Sequence, residues 1–136
     1  MTQEDKELLL KDLCCRLRYG VKCYEDGVDY PFEIIGYTKT NLEFIYSDGY
    51  ERPIEFIKPY LRPMSSMTEE ERKELNRINN DGLDEWLNAN NPIEKWTSTC
   101  RIDGESVDYM NSRHLDYRGL IPKGLAIKAL EGMYKF

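Results

Sequence analysis

His114 is the single histidine of the chain, and with Cys14, Cys15, Cys23 and Cys100 it makes up the inventory for nucleophilic or soft-metal chemistry. A histidine base needs a nucleophile, and usually an orienting acid, within hydrogen-bond reach. By residue type alone, Cys100 and His114 can be joined with Asp103 or Asp116 into such a set. No local signature of a cysteine hydrolase accompanies them, so the expectation for His114 is a packed side chain at a helix end. Cys14, Cys15 and Cys23 with His114 form a conceivable zinc set, but their spacing is unlike the paired ligands of zinc sites. The sequence contains no C-x-x-C, no H-x-x-x-H and no EF-hand loop. Asp81, Asp84, Glu85 and Asp103 offer carboxylates for acid–base work, yet acids beside a helix start are favoured by its dipole alone. Both glycine-rich phosphate cradles are missing, and Asp-Gly at 26–27, 48–49 and 103–104 reads as turns. The expectation is therefore no catalytic residue, no metal and no cofactor.

Binding chemistry has better raw material. Ten of the sixteen aromatic residues fall between Tyr19 and Tyr60, interleaved with Val, Ile and Thr. On an open sheet face such rings stack bases or peptide side chains; facing inward they fill a small core. After Tyr109, Arg113, Arg118, Lys123, Lys128 and Lys135 are opposed only by Asp116 and Glu131. Tyr37 and Tyr46 from the aromatic stretch, with Arg118 and Lys123 from the basic one, are the surface candidates for binding. The competing role for residues 116–123 is a structural brace, with Leu120 and Ile121 entering the core.

The elements that would carry these residues follow from periodicity. Leu9, Leu13 and Leu17 recur every fourth residue, widened by Leu8, Leu10 and Cys14, and predict a helix over Gln3–Arg18. Thr2 caps it and Gly20 ends it. Alternation and β-branched content predict strands at Val21–Glu25, Tyr30–Thr38 and Asn41–Ser47, then a short strand or single helical turn at Pro53–Ile57. Thr68-Glu69-Glu70-Glu71 is a capping box that opens a helix to Ile78. A further helical segment is expected at Leu83–Asn88, an extended one at Lys95–Ile102, and a short helix capped by Ser106 and running to His114. Leu120–Leu130 is apolar enough to pack but is interrupted by Pro122 and Gly124. The fold class read from this is α+β: an N-terminal helix packed on a small curled antiparallel sheet, then a mostly helical C-terminal half. A strongly curled version of the sheet would be an SH3-like barrel.

At 136 residues the chain reads as a single domain, 1–63 carrying the helix and sheet and 64–136 mainly helical. Its net charge of −6 gives no general attraction to nucleic acid or anionic lipid. The acidic start, Met-Thr-Gln-Glu-Asp-Lys-Glu, lacks the basic and apolar regions of a signal peptide, and no run is long enough to span a bilayer. Adjacent Cys14 and Cys15 point about 100° apart on a helix and suit a disulfide framework poorly. A cytoplasmic protein with reduced, partly buried thiols is expected.

Several segments together carry a resemblance. They are Arg18-Tyr19-Gly20-Val21-Lys22, the run Ile57-Lys58-Pro59-Tyr60-Leu61-Arg62-Pro63-Met64-Ser65-Ser66-Met67-Thr68-Glu69-Glu70-Glu71, and the run from His114-Leu115-Asp116-Tyr117-Arg118-Gly119 through Leu120-Ile121-Pro122-Lys123-Gly124-Leu125-Ala126. In these the chain resembles a group of small uncharacterised proteins from gut Bacteroides-type bacteria and their phages or prophages. The resemblance implies a cytoplasmic, mobile-element setting and brings no activity and no functional residue. The resulting expectation is a non-enzymatic module with a protein partner and no membrane. The alternatives are a nucleic-acid-associated protein using the aromatic sheet and basic tail, and a small enzyme built on Cys100 and His114.

Overall fold

A computed structural model of the chain describes residues 2–38, 43–46, 51–78 and 104–134. They form an α+β protein with two compact units, one comprising 1–61 with 120–136 and the other 62–119.

In the first unit, α1 spans Gln3–Arg16. Thr2 and Asp5 make a reciprocal capping box, Asp5 N–H to the Thr2 hydroxyl at 3.1 Å and Thr2 N–H to the Asp5 carboxylate at 3.3 Å. A 3-10 turn, Leu17–Tyr19, tightens the end, and Gly20 closes it with φ of 69°, a backbone region that a side chain would strain. The buried face is Leu9, Asp12, Leu13 and Arg16, with Leu8, Leu10 and Leu17 partly covered. Cys14, expected to widen the stripe, is exposed instead. The helix turns toward the core at positions 12 and 16, which carry charges and so escape an apolar periodicity count.

Asp12 and Arg16 are both fully buried and meet in a two-pronged contact, 2.8 Å from Nε and 3.1 Å from Nη2. One helical turn separates them, so a single element supplies both ions to the core.

The sheet has six strands in the order β4-β3-β2-β1-β5-β6. They are β1 Lys22–Glu25, β2 Phe32–Thr38, β3 Glu43–Tyr46, β4 Glu51–Pro53, β5 Ile57–Leu61 and β6 Ile127–Lys128. β1 to β4 form an antiparallel meander; a 3-10 turn at Ile54–Phe56 then brings β5 back against β1, antiparallel with Cys23 opposite Pro59. The reading at Pro53–Ile57 named a strand or a helical turn, and the chain makes both in succession. Between β2 and β3 the register shifts, Ile34 facing Tyr46 and Gly36 facing Ile45. Ile35 is thus the extra residue of a bulge, and it stands 60% exposed.

β6 joins parallel to β5, with Ala129 N–H on Leu61 O at 2.7 Å. Leu120 and Leu125 are buried before it, and a turn with Gly124 at φ of 75° joins them, Leu125 N–H reaching Leu120 O at 3.0 Å. Ile121 packs at the core margin. The core is Leu9 and Leu13 from the helix, Val21 just before β1, Cys23, Phe32, Ile34, Ile57 and Leu61 from the sheet, Ile54 from the 3-10 turn, and Leu120, Leu125 and Ala126 from the returning segment.

Pro59 sits in an inner strand although proline lacks a ladder donor. Alternation places its backbone nitrogen on the same side as the Leu61 carbonyl, toward β6, and β6 pairing begins only at Tyr60. No ladder bond is therefore forfeited at Pro59. Where the β1–β5 ladder would continue at Lys22 and Tyr60, the Tyr134 hydroxyl is inserted. It accepts from Lys22 N–H at 3.0 Å and donates to Tyr60 O at 2.7 Å. Burial pushes the Tyr134 phenol well above its ordinary range, so it remains the neutral donor this bridge requires.

In the second unit, α2 spans Glu69–Ile78 and α3 spans Gly104–Ser112. Leu75, Met110, Leu115 and Tyr117 are its core, with Met64, Met67, Val107 and Tyr109 packed around them. The helix expected to start at a Ser106 cap starts two residues earlier, and Ser106 is a buried residue within it. α3 ends in a Schellman motif: Leu115 N–H bonds Met110 O at 3.0 Å and His114 N–H bonds Asn111 O at 3.1 Å. The left-handed position usually given to glycine is held by His114, φ of 57°. Arg62 runs alongside, its N–H on His114 O at 2.7 Å and its carbonyl accepting from Asp116 N–H at 2.8 Å.

Candidate functional site

The first unit opens a concavity of about 400 Å³ lined by Tyr24, Glu25, Asp26, Glu55, Phe56 and Lys58. Its residues come from the end of β1, the 3-10 turn and the start of β5. Tyr24 lies directly opposite Lys58 in the ladder, so the two side chains share one sheet face. Tyr60 follows on that face and meets the Tyr24 ring edge-on, centroids 6.4 Å apart at 83°. This contact fixes the Tyr24 ring as one wall. The 3-10 turn projects Phe56 outward, 62% exposed, as the other apolar element.

The polar rim is mostly acidic. The Tyr24 hydroxyl donates to the Asp26 carboxylate, which holds the phenol above its ordinary range. Glu25 is engaged by Arg52, whose guanidinium also lies over the Phe32 ring at 5.2 Å. Glu55 pairs with Lys6 of α1 at 2.5 Å, a contact open to solvent on both sides. An exposed pair of this kind contributes about 0–1 kcal/mol and is readily exchanged for another cation.

A second cluster is more enclosed. Arg62 grips Glu71 with both terminal nitrogens at 2.8 and 2.7 Å, and the same guanidinium donates to Arg113 O at 3.2 Å and Ser66 O at 3.1 Å. Glu71 also completes the capping box expected at Thr68: its carboxylate accepts Thr68 N–H at 2.9 Å while its own N–H bonds the Thr68 hydroxyl at 3.2 Å. Burial opposes ionisation of Glu71, but Arg62 and the Thr68 groups outweigh it and hold the carboxyl below its ordinary value. Every contact here ties one part of the second unit to another, which marks a structural clasp.

The residues singled out by sequence fall in both units. Tyr37 and Tyr46 lie on the neighbouring strands β2 and β3, Tyr37 opposite Phe44 and Tyr46 opposite Ile34. Arg118 is in the second unit and stacks on Tyr117, its guanidinium 4.7 Å from the ring centroid. Lys123 is exposed in the turn before β6. Lys123 is not among the described residues that line the concavity. His114 is buried at the end of α3. Cys23 is buried in the first unit, whereas Cys14 is exposed and Cys15 intermediate. Cys100, Asp81, Asp84, Glu85, Asp103, the Asp48-Gly49 turn and the segments Leu83–Asn88 and Lys95–Ile102 lie outside the described residues. Among the described residues no group of three or more His, Cys, Asp or Glu is placed to hold a metal, and no helix is long and apolar enough to cross a membrane.

Sequence reasoning passed over the concavity because Tyr24, Phe56 and the acids between them are far apart in the chain. The available signal was the pairing of β1 with β5, which required β5 to be read as a strand despite Pro59. No family model matches the chain, and no curated protein and no solved structure matches it significantly.

Proposed function

We propose that the protein is a non-enzymatic protein-interaction module, in the phage or mobile-element setting implied by the sequence resemblance. The observation that carries this reading is the open aromatic face of the first unit, Phe56 standing 62% exposed beside Tyr24 on the rim of a concavity. A large apolar ring costs solvation when exposed, and singly scattered ones need no explanation. Phe56 is different because it borders a recess with a second aromatic wall and charged groups at its mouth, the anatomy of a small interface core with a polar rim. Two arginines of the second unit are engaged within it: Arg62 clasps Glu71 and Arg118 lies on Tyr117.

The test is affinity capture from host lysate with the tagged chain, with and without nuclease, against a Phe56→Ala control. A protein retained after nuclease treatment and lost with F56A supports the module. Capture that vanishes with nuclease would move the function to nucleic acid. An empty capture, repeated with a cross-linker, would refute the module reading.

A further inference from the structure

We propose that residues 127–134 form a strap that opens while the rest of the first unit stays folded, and that the site it uncovers is filled by the same segment of a second copy of the chain. The inference goes beyond the interaction-module reading and does not involve Phe56.

The first argument is how the strap is held. It has two anchors. At one, β6 lies parallel to β5, Ile127 beside Tyr60 and Lys128 beside Leu61, with Ala129 N–H on Leu61 O at 2.7 Å. At the other, the Tyr134 hydroxyl stands between β1 and β5, accepting from Lys22 N–H at 3.0 Å and donating to Tyr60 O at 2.7 Å. The Lys22 ammonium adds a bond to Met133 O at 3.3 Å. Between the anchors Leu130, Glu131 and Gly132 are exposed, Leu130 by 60%. A turn closed by Met133 N–H on Leu130 O at 3.1 Å, with Gly132 at φ of 74°, joins the two ends. The residues just before the strap differ, for Leu120, Leu125 and Ala126 are part of the core. A segment with little buried apolar surface opens at lower free energy than the core beside it. The hinge is therefore the step from Ala126 to Ile127, where burial gives way to exposure.

The second argument is what opening uncovers. Lys22 N–H, Tyr60 O and Leu61 O lose these partners together. They make up a stretch of strand edge and a socket fitted to a group that both accepts and donates, as a phenol hydroxyl does. Recognition by strand addition divides its work in this way, with main-chain bonds along an edge and a side-chain socket for selectivity.

The third argument names the occupant. The segment that satisfies all three groups is 127–134 itself, so a second copy carries the matching ligand. Each contact is the same whether made within one copy or between two, and concentration then sets the balance between the closed chain and the exchanged pair.

The first experiment is native-state hydrogen exchange of the full wild-type chain in low urea. The Ala129, Met133 and Lys22 amides should exchange at least about tenfold faster than those of Ile34 and Leu125, and with little urea dependence, the mark of a local opening. Strap amides that exchange at the rate and with the urea dependence of Ile34 would overturn the inference. The second experiment titrates the isotopically labelled full chain carrying Tyr134→Ala with two synthetic peptides, residues 126–134 and the same peptide with phenylalanine in place of the tyrosine. The tyrosine peptide should give saturable shifts at Lys22, Tyr60 and Leu61, and the phenylalanine peptide should bind at least about tenfold more weakly. Wild type should also bind the tyrosine peptide about tenfold or more weakly than Y134A, because its own strap competes. A folded Y134A chain that binds neither peptide, or both equally, would overturn the inference. If Y134A does not fold, Tyr134→Phe replaces it, and exchange in the wild type decides independently. Sedimentation should show a wild-type dimer whose share rises with chain concentration; peptide binding by a chain that stays monomeric would overturn the second-copy assignment. Phe56→Ala should leave all of these results unchanged, so failure here and failure of the module reading are told apart.

Discussion

Replacing Glu71 with alanine removes one carboxylate that serves two structures, the Arg62 clasp and the cap of α2. Glu71 is only 5% exposed, and its partner side chain is 15% exposed. Breaking such a pair from one side costs about 3–5 kcal/mol, because the remaining charge is left without its counterion. Arg62 keeps two carbonyl acceptors, Ser66 O and Arg113 O, which moves the cost to the lower end of that range. Losing the reciprocal cap at Thr68 adds about 1 kcal/mol. The expected loss for E71A is therefore about 3–4 kcal/mol, with Glu71→Gln intermediate because its amide oxygen still accepts the Thr68 N–H. Hydrogen exchange of the α2 amides is the direct readout, since it reports the stability of the unit that holds them. Urea unfolding gives the global figure. A cycle with Arg62→Met should show a coupling above about 1.5 kcal/mol. The pH dependence has a fixed sign. The folded-state carboxyl titrates below its unfolded value, so its contribution is complete above the ordinary carboxylate range and is lost as pH falls through the folded value. The acid limb of stability should thus flatten in E71A. An E71A chain within about 0.5 kcal/mol of wild type, or a cycle without coupling, would refute the clasp.

Three further outcomes are expected. Tyr134→Phe removes the hydroxyl that bridges Lys22 and Tyr60 and leaves two backbone groups short of a partner; the cost should be about 1–3 kcal/mol by urea unfolding, with exchange rising first at Lys22. Asp12→Ala strands the buried Arg16 and should cost about 3–5 kcal/mol, whereas the double change Asp12→Leu with Arg16→Met should recover most of it; a double variant as unstable as the single would show that the pair itself is favourable. Site-resolved alkylation read by mass spectrometry should find Cys14 modified in the native state, with the rise in rate displaced to higher pH than for an ordinary thiol, because partial burial first and then Cys15 lift it above the usual value. Cys23, fully buried and lifted much further by burial, should react only after unfolding, and native labelling at Cys23 would contradict its place in the core.

What the sequence made legible was local chemistry. The α1 stripe with Gly20 at its end, the α2 capping box and the meander strands depend on neighbours within a few residues, and periodicity and cap chemistry report those directly. Three features are not visible in periodicity or cap chemistry. Asp12 and Arg16 look like surface charges until the helix is docked, since polarity alone says nothing about a counterion one turn away. β5 runs through Pro59, a residue that lacks a ladder donor, and is accommodated because β6 pairing begins only at Tyr60. His114 was read at a helix end and lies there, but its left-handed backbone is invisible without the two hydrogen bonds that close the Schellman motif. The recess suffers most from this limit, because Tyr24 and Phe56 become neighbours only through the β1–β5 register.

The first unit is discontinuous: residues 62–119 form the other unit, and the chain then returns to supply Leu120, Leu125, Ala126 and β6. During synthesis, α1 and five strands therefore emerge long before the segment that seals their core. The intervening unit has its own apolar cluster, Leu75, Met110, Leu115 and Tyr117. Until the last segment arrives, β5 presents Tyr60 and Leu61 as an unpaired edge, the kind of surface on which nascent chains pair wrongly. Completion of this fold is accordingly a late event in the life of the chain, and a truncation that removes residues 120–134 would strand a nearly finished sheet with an open side.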